Sequence, residues 1–245
     1  MTVRNWGDEY TRRVEWIRTL LRESGAEGIV YGNSGGKDSA LTGILCKAAC
    51  DKTVGLIMPC SSQRNFHMDM EDGLAVAAQY RIETRVMDLT AVREQALSVL
   101  RGATVVSELA AANLAPRLRM MTLYAVAASE NCLVAGNGNR SEAYMGYFTK
   151  WGDGAHDFNP IGDLTVTEIY SFLRYLGAPR QIIEKEPSAG LFDGQTDETE
   201  MGVTYRAIDD WILHGIATEH DLEIMRRFHE KSEHKRSPIP VYGGE

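Results

Sequence analysis

The sequence predicts an α/β fold, a doubly wound, mainly parallel sheet with helices on both faces. Three observations carry that prediction. Short apolar runs recur at Glu27–Tyr31, Thr53–Met58, Glu83–Leu89 and Cys132–Ala135. Helix-period segments separate them, which is the pattern of parallel strands covered on both sides. A chain of 245 residues, 44% of them hydrophobic, can bury one full core, so residues 1–245 read as a single domain.

The first element is a helix over Asn5–Glu23. Trp6, Tyr10, Val14, Ile17, Leu20 and Leu21 fall at helical spacing, and Ser24-Gly25 ends the run. After the strand at Glu27–Tyr31 comes Tyr31-Gly-Asn-Ser-Gly-Gly-Lys-Asp-Ser39, then a helix over Ala40–Ala49. Gly32, Gly35 and Gly36 permit backbone angles closed to other residues, so successive N–H groups can face one hollow. That hollow lies at a helix N-terminus, which favours an anion. Ser34 and Ser39 add hydroxyls. The stretch therefore reads as a phosphate or pyrophosphate cradle. It has neither Walker spacing nor the Gly-x-Gly-x-x-Gly fingerprint. Asp38 would repel a phosphate unless a divalent cation stood between them.

The second strand closes at Pro59. The loop to Asn65 lies at a strand's carboxyl end, where open α/β sheets bind ligands, and makes Arg64 a nucleotide-contact candidate. A helix follows over His67–Tyr80, then the third strand and a helix to Leu100 capped by Thr90. Residues 102–113 give no clear pattern. Leu114–Glu130 is helical with Pro116 in its first turn. Arg117 and Arg119 sit near its start, against the dipole, so an anionic ligand is expected there.

The fourth strand runs into Gly136-Asn-Gly-Asn-Arg-Ser-Glu142. Asn137 can offer an amide to a nucleotide. Glu142 suits a helix N-terminus, or serves as the second protein ligand, with Asp38, of one Mg²⁺. Tyr147–Pro160 reads as a structured loop, with Lys150 and Asp157 as its notable polar groups. Helices are expected at Thr165–Leu176, Pro179–Glu184, Thr204–Ile212 and Glu219–Ser232. Asp193–Glu200 has the composition of a flexible lid. The tail Glu233-His-Lys-Arg236 is basic.

The formal charge of −8 disfavours a nucleic-acid partner. Cys46, Cys50, Cys60 and Cys132 form no Cys-x-x-Cys pair and no zinc spacing, and read as buried thiols. A signal peptide and an apolar run of membrane-spanning length are both lacking, so a cytoplasmic protein without membrane contact is expected.

The glycine stretch resembles the PP-loop of the ATP pyrophosphatase superfamily, whose members split ATP between its α and β phosphates. Ser34-Gly-Gly-Lys-Asp-Ser39, Pro116-Arg-Leu-Arg-Met120, Phe148-Thr-Lys-Trp-Gly-Asp-Gly154, Asp197-Glu-Thr-Glu200 and Glu233-His-Lys-Arg236 together resemble the ammonia-dependent NAD synthetase family. The resemblance implies an adenine nucleotide alpha hydrolase-like, Rossmann-like fold. It implies a homodimeric ligase that amidates deamido-NAD through an adenylate, with ATP as co-substrate and Mg²⁺ as cofactor. Gly32, Asn33, Ser34, Gly35, Gly36, Lys37, Asp38 and Ser39 would hold ATP, with Arg64, Asn137 and Ser188 contributing. Asn137 and Ser188 stand where threonines are common. Arg117, Lys150, Asp157, His234 and Lys235 would contact deamido-NAD. Asp38 and Glu142 would bind Mg²⁺, and with Lys150 form the catalytic set. Many members carry a lysine at the position of Val166, and Lys37 is expected to replace it. No segment is long enough for a glutaminase domain, so free ammonia is expected. The same chemistry on nicotinate mononucleotide, another PP-loop adenylating enzyme acting on tRNA, and a non-catalytic nucleotide sensor are the alternatives.

Overall fold

The computed structural model describes residues 4–60, 68–184 and 197–243. Among them, β1 Gly28–Gly32, β2 Thr53–Ile57, β3 Glu83–Val86 and β4 Cys132–Ala135 form one parallel sheet in the order β3-β2-β1-β4. Val30 on β1 stands opposite Val54 on β2 and Val134 on β4. Phe158 extends the sheet past β4 by one parallel bridge to Ala135.

The helices are α1 Trp6–Ser24, α2 Lys37–Ala49, α3 Met68–Tyr80, α4 Thr90–Arg101, α5 Glu108–Ala112, α6 Leu114–Glu130 and α7 Arg140–Met145. After them come α8 Val166–Leu176, α9 Arg180–Glu184, α10 Asp197–Met201, α11 Tyr205–His214, α12 Glu219–Lys231 and α13 Glu233–Arg236. Alternate residues of β1 feed two cores, as the two-residue period of a strand requires. Ile29 and Tyr31 join Val14 and Ile17 of α1, Leu41 and Leu45 of α2, Val76 of α3 and Phe172 of α8. Val30 points the other way and joins Leu56, Val134 and Ala127 of α6. The sheet is thus covered on both faces, as expected for a doubly wound fold. A third cluster, Met145, Val166, Met201, Tyr205, Ile208 and Met225, unites the later helices.

Several boundaries differ from the sequence reading. β3 ends at Val86, and Asp88 and Leu89 already lead into the next helix. Thr90 is the first residue of α4 rather than its cap, and its N–H is taken by the Asp88 carboxylate at 2.9 Å. Residues 102–113 contain α5, capped by Ser107. Of the expected lid, residues 193–196 lie outside the described residues, and Asp197–Glu200 opens α10 with Asp197 buried. Cys46 and Cys60 are buried, but Cys50 and Cys132 are only half-buried. Among the described residues no helix is long and apolar enough to cross a membrane.

The strand order has one consequence for binding. The chain steps outward from β1 to β2 to β3, then returns to place β4 on the other side of β1. Loops leaving β1 and β4 therefore diverge, and a crevice opens between their carboxyl ends.

Candidate active site

Gly32–Gly36 leaves β1 into that crevice and Gly136–Asn139 leaves β4 into it. Of the three glycines expected to need special backbone angles, only Gly35 adopts one, with φ +71. A Cβ there would meet the Asp69 carbonyl oxygen of α3 at 2.1 Å, so the loop is pressed under that helix. Asn33 ties it down further, donating to the Gly73 carbonyl at 3.0 Å and accepting from the Gly35 N–H. The Ser34 hydroxyl donates to Ser39 Oγ at 3.1 Å, and Ser39 donates to the Gly36 carbonyl. Helix α2 begins at Lys37, three residues before the apolar run that announces it, so Asp38 sits in its first turn.

The β4 loop opens α7 with a capping box. The Asn139 carboxamide oxygen accepts from the Glu142 N–H at 2.9 Å, and Glu142 Oε2 accepts from the Asn139 N–H at 3.1 Å. The Asn139 amide group also donates to Asp38 Oδ1 at 3.1 Å. One fully buried asparagine thereby links the two carboxylates expected to share a metal. Asn139 is absent from the sequence-derived set. Its signal was the Asn-x-x-Glu spacing of a capping box.

A cavity of about 820 Å³ fills the crevice. Gly32, Asn33, Ser34, Gly36, Lys37, Asp38 and Ser39 line it, together with Asn137 and Glu142. Arg117, Lys150, His234 and Lys235 line the same cavity. Asn137 donates to the Gly32 carbonyl at 2.7 Å, while its own carboxamide oxygen is buried without a partner. Arg119 also lines the cavity, donating to the Met58 carbonyl at 3.0 Å.

Two of the expected substrate contacts already have partners within the protein. Asp157 does not line the cavity. Its carboxylate accepts from the Val134 N–H at 2.8 Å and from the Tyr124 hydroxyl at 3.2 Å, which fixes the β4 edge. Lys235 lines the cavity but donates to the Gly146 and Phe148 carbonyls at 2.7 and 2.6 Å. With Arg236, which donates to the Ala143 carbonyl, it satisfies carbonyls at the end of α7. Lys150 donates to the His234 carbonyl at 2.5 Å, tying the Phe148–Gly154 loop to the tail. Arg64 and Ser188 lie outside the described residues.

The opposite end of α7 is held by a residue the sequence reading did not select. Buried Asp209 of α11 accepts from the Ser141 hydroxyl at 2.5 Å and from the Thr167 N–H at 2.7 Å. Ser141 Oγ in turn accepts from the Val166 N–H. One carboxylate thus accepts an N–H in the first turn of α8 and braces α7 through the Ser141 hydroxyl, next to Glu142.

Charge is concentrated at the Asp38–Glu142 pair. Burial and the nearby Asp38 carboxylate push the Glu142 carboxyl above its ordinary range, while Lys37 pulls the other way. Burial alone would lower the Lys37 ammonium, but Asp38 and Glu142 override it and hold the group firmly protonated. Lys37 Nζ lies 2.8 Å from Asp38 Oδ2 and 5.6 and 6.0 Å from the ring centres of Tyr205 and Tyr170. Val166 is buried in the same cluster as Tyr205, one turn before Tyr170 on α8. The lysine therefore reaches the face that Val166 leaves apolar.

Residues 9–239 match the family model described as NAD synthase. The NH(3)-dependent NAD(+) synthetase of Carboxydothermus hydrogenoformans is 46% identical over 235 residues, 95% of this chain and 96% of that protein. Among solved structures, the NMN synthetase from Francisella tularensis superposes with a TM-score of 0.93 at 36% identity, covering 99% of this chain and 100% of that one. The NH3-dependent NAD synthetase from Campylobacter jejuni superposes with a TM-score of 0.78 at 28% identity, covering 98% of this chain and 99% of that one.

Proposed function

The chain belongs to the NAD synthase family, and on that premise we propose that it amidates the nicotinate carboxylate of deamido-NAD with ammonia, at the cost of ATP. It is a ligase that forms a C–N bond. Hydroxide is a poor leaving group, so the carboxylate is first activated. Its oxygen attacks the α-phosphorus of ATP and pyrophosphate departs. Ammonia then attacks the acyl carbon, the C–O bond to AMP breaks, and the amide remains after loss of a proton.

The observation that carries this reading is the meeting of Asp38 and Glu142 through Asn139 at the mouth of the glycine loop. The loop's N–H groups and the α2 N-terminus suit the departing pyrophosphate. Arg117, Lys150 and His234 line the same cavity and suit the second, also anionic, substrate. Neither step needs a nucleophilic side chain; holding two anions in line is the larger task. Asp38 and Glu142 offer hard oxygen donors at a place that already draws the cation Lys37, so the residues present fit Mg²⁺. Bound by these two, the ion would neutralise phosphate charge.

A homodimer accompanies the reading. Leu109, on the cavity lining, and Met121, four residues beyond Arg117, are 73% and 52% exposed. Light scattering is expected to give twice 27.2 kDa.

The direct test is pyrophosphate release with deamido-NAD, ammonium and MgATP. Turnover dependent on all three is expected; ATP binding without release would instead mark a nucleotide sensor. A second reading, nicotinate mononucleotide as the acid, is favoured by the TM-score of 0.93 against the NMN synthetase. The same assay with both acids decides it by the ratio of kcat/KM values.

A further inference from the structure

Lys37 is the one cation paired with the acidic pair among the described contacts, and it is 7% exposed. Its ammonium donates to Asp38 Oδ2, with Glu142 as the next charge and the rings of Tyr170 and Tyr205 about 6 Å away. A buried ammonium requires an anion, and two carboxylates sharing one site require a cation. In the nucleotide-free protein each supplies the other.

The charges then decide the order of events. Lys37 is the cation in contact with this acidic cluster, which Asp197 extends along the cavity. A divalent ion entering alone would compete with Lys37 for Asp38 and bring no anion of its own. A divalent ion entering with a triphosphate supplies that partner, because phosphate oxygens accept strongly from an ammonium. Lys37 and the glycine loop line the same cavity and are adjacent in the chain, so the ammonium starts beside the proposed phosphate cradle.

We propose that Lys37 is an exchangeable counter-ion that makes metal and nucleotide binding cooperative: it holds the Asp38–Glu142 pair against a lone metal ion and passes to the phosphates when both arrive. This rests on the Mg-ATP reading of the site given above. It differs from a fixed phosphate contact, which would strengthen nucleotide binding without opposing the metal. It also differs from a structural ion pair, which would affect neither.

The test compares wild type with Lys37→Met, which keeps length and apolar contact but removes the charge. Mn²⁺ alone is titrated by the electron paramagnetic resonance of the free ion, and MgATP by calorimetry. Expected in Lys37→Met are Mn²⁺ affinity raised about tenfold and MgATP affinity lowered about tenfold, the size of an ordinary coupling. Opposite signs support the exchange; both weakening, or neither changing, overturns it. Thermal melts establish folding, and Lys37→Gln provides the same comparison should the methionine variant not fold. Failure of wild type to bind MgATP would overturn the underlying site assignment and this inference with it. Normal wild-type binding with unshifted variants overturns this inference alone.

Discussion

The two halves of the site are supported in opposite ways. The β1 half is made of backbone: a glycine loop pressed under α3, stitched by its own serines and by Asn33. Its supports lie within about forty residues of one another. The β4 half is made of side chains. Helix α7, which carries Glu142, is braced by Asp209 through the Ser141 hydroxyl near its start and by Lys235 and Arg236 at its end. Those supports arrive 68 to 93 residues later in the chain. A backbone-built site is written locally, whereas a side-chain-built site exists only once the later helices have docked.

The sharpest way to break the first half is Gly35→Ala. Its φ of +71 disfavours any side chain, and the new Cβ would lie 2.1 Å from a main-chain oxygen of α3. Gly177 provides the control, since it has φ +72 and nothing within 4 Å of a Cβ. Gly177→Ala should lower stability by about 1–2 kcal/mol with ATP affinity intact. Gly35→Ala should exceed that in thermal melts and reduce ATP affinity roughly 100-fold or more, because the cradle itself moves. Equal behaviour of the two variants would show that the loop is not held by α3.

Asn139→Ala cuts the tie between the halves. Loss of the α7 cap should lower stability by about 1 kcal/mol. Release of both Asp38 and Glu142 should lower kcat/KM by on the order of 100-fold, with folding retained. A loss of stability without a loss of rate would mean that the carboxylates are positioned by something else.

Asp209→Asn tests the distant support alone. The carboxylate accepts with both oxygens, whereas an amide must set its NH2 against either the Ser141 hydroxyl or the Thr167 N–H. A mispaired buried group of this kind removes about 1–3 kcal/mol of stability. Because the change acts on α7 next to Glu142, kcat should drop about tenfold, the usual effect of altering a ligand's supporting bond. Unchanged metal dependence together with lower stability would confine Asp209 to the fold.

The same contrast explains what the sequence revealed. The four strands, the long helices and the glycine loop were legible because period and local turn chemistry dictate them. Asp38 was legible as an acid out of place beside a phosphate cradle. Asp209 was not, because one aspartate in an amphipathic helix looks like any solvated residue until Ser141 and Thr167 stand against it. Asp157 was marked as a polar group of a motif-rich loop, and what the sequence did not reveal is that its carboxylate accepts from the Val134 N–H at the β4 edge. Lys235 was named through the family resemblance alone, and the structure adds that its ammonium donates to the Gly146 and Phe148 carbonyls just past α7.

A region remote from both halves sets the smallest expectation. Asp163, in the turn before α8, accepts from Arg13 at 2.6 and 2.8 Å and from Arg4 at 2.9 Å, clamping α1 to the start of α8. Partial burial would raise its carboxyl, but the hydrogen bonds and charge of Arg13, followed by those of Arg4, outweigh it and hold the group below its ordinary value. The unfolded carboxyl titrates near about 3.9, so the folded state binds its proton less readily. Stability from this group is therefore present above roughly pH 4 and disappears as pH falls through the lower folded value. The side chain is 53% exposed, which limits the contribution to about 1 kcal/mol or less. Asp163→Asn should melt about 2–4 °C below wild type at pH 7. The two melting curves should converge near about pH 3, where wild type has lost the same charge. Turnover should be unaffected, since Asp163 touches neither loop of the cavity. A gap in melting temperature that persists in acid would assign the loss to packing of the turn, and a change in kcat would show that the α1–α8 clamp reaches the site after all.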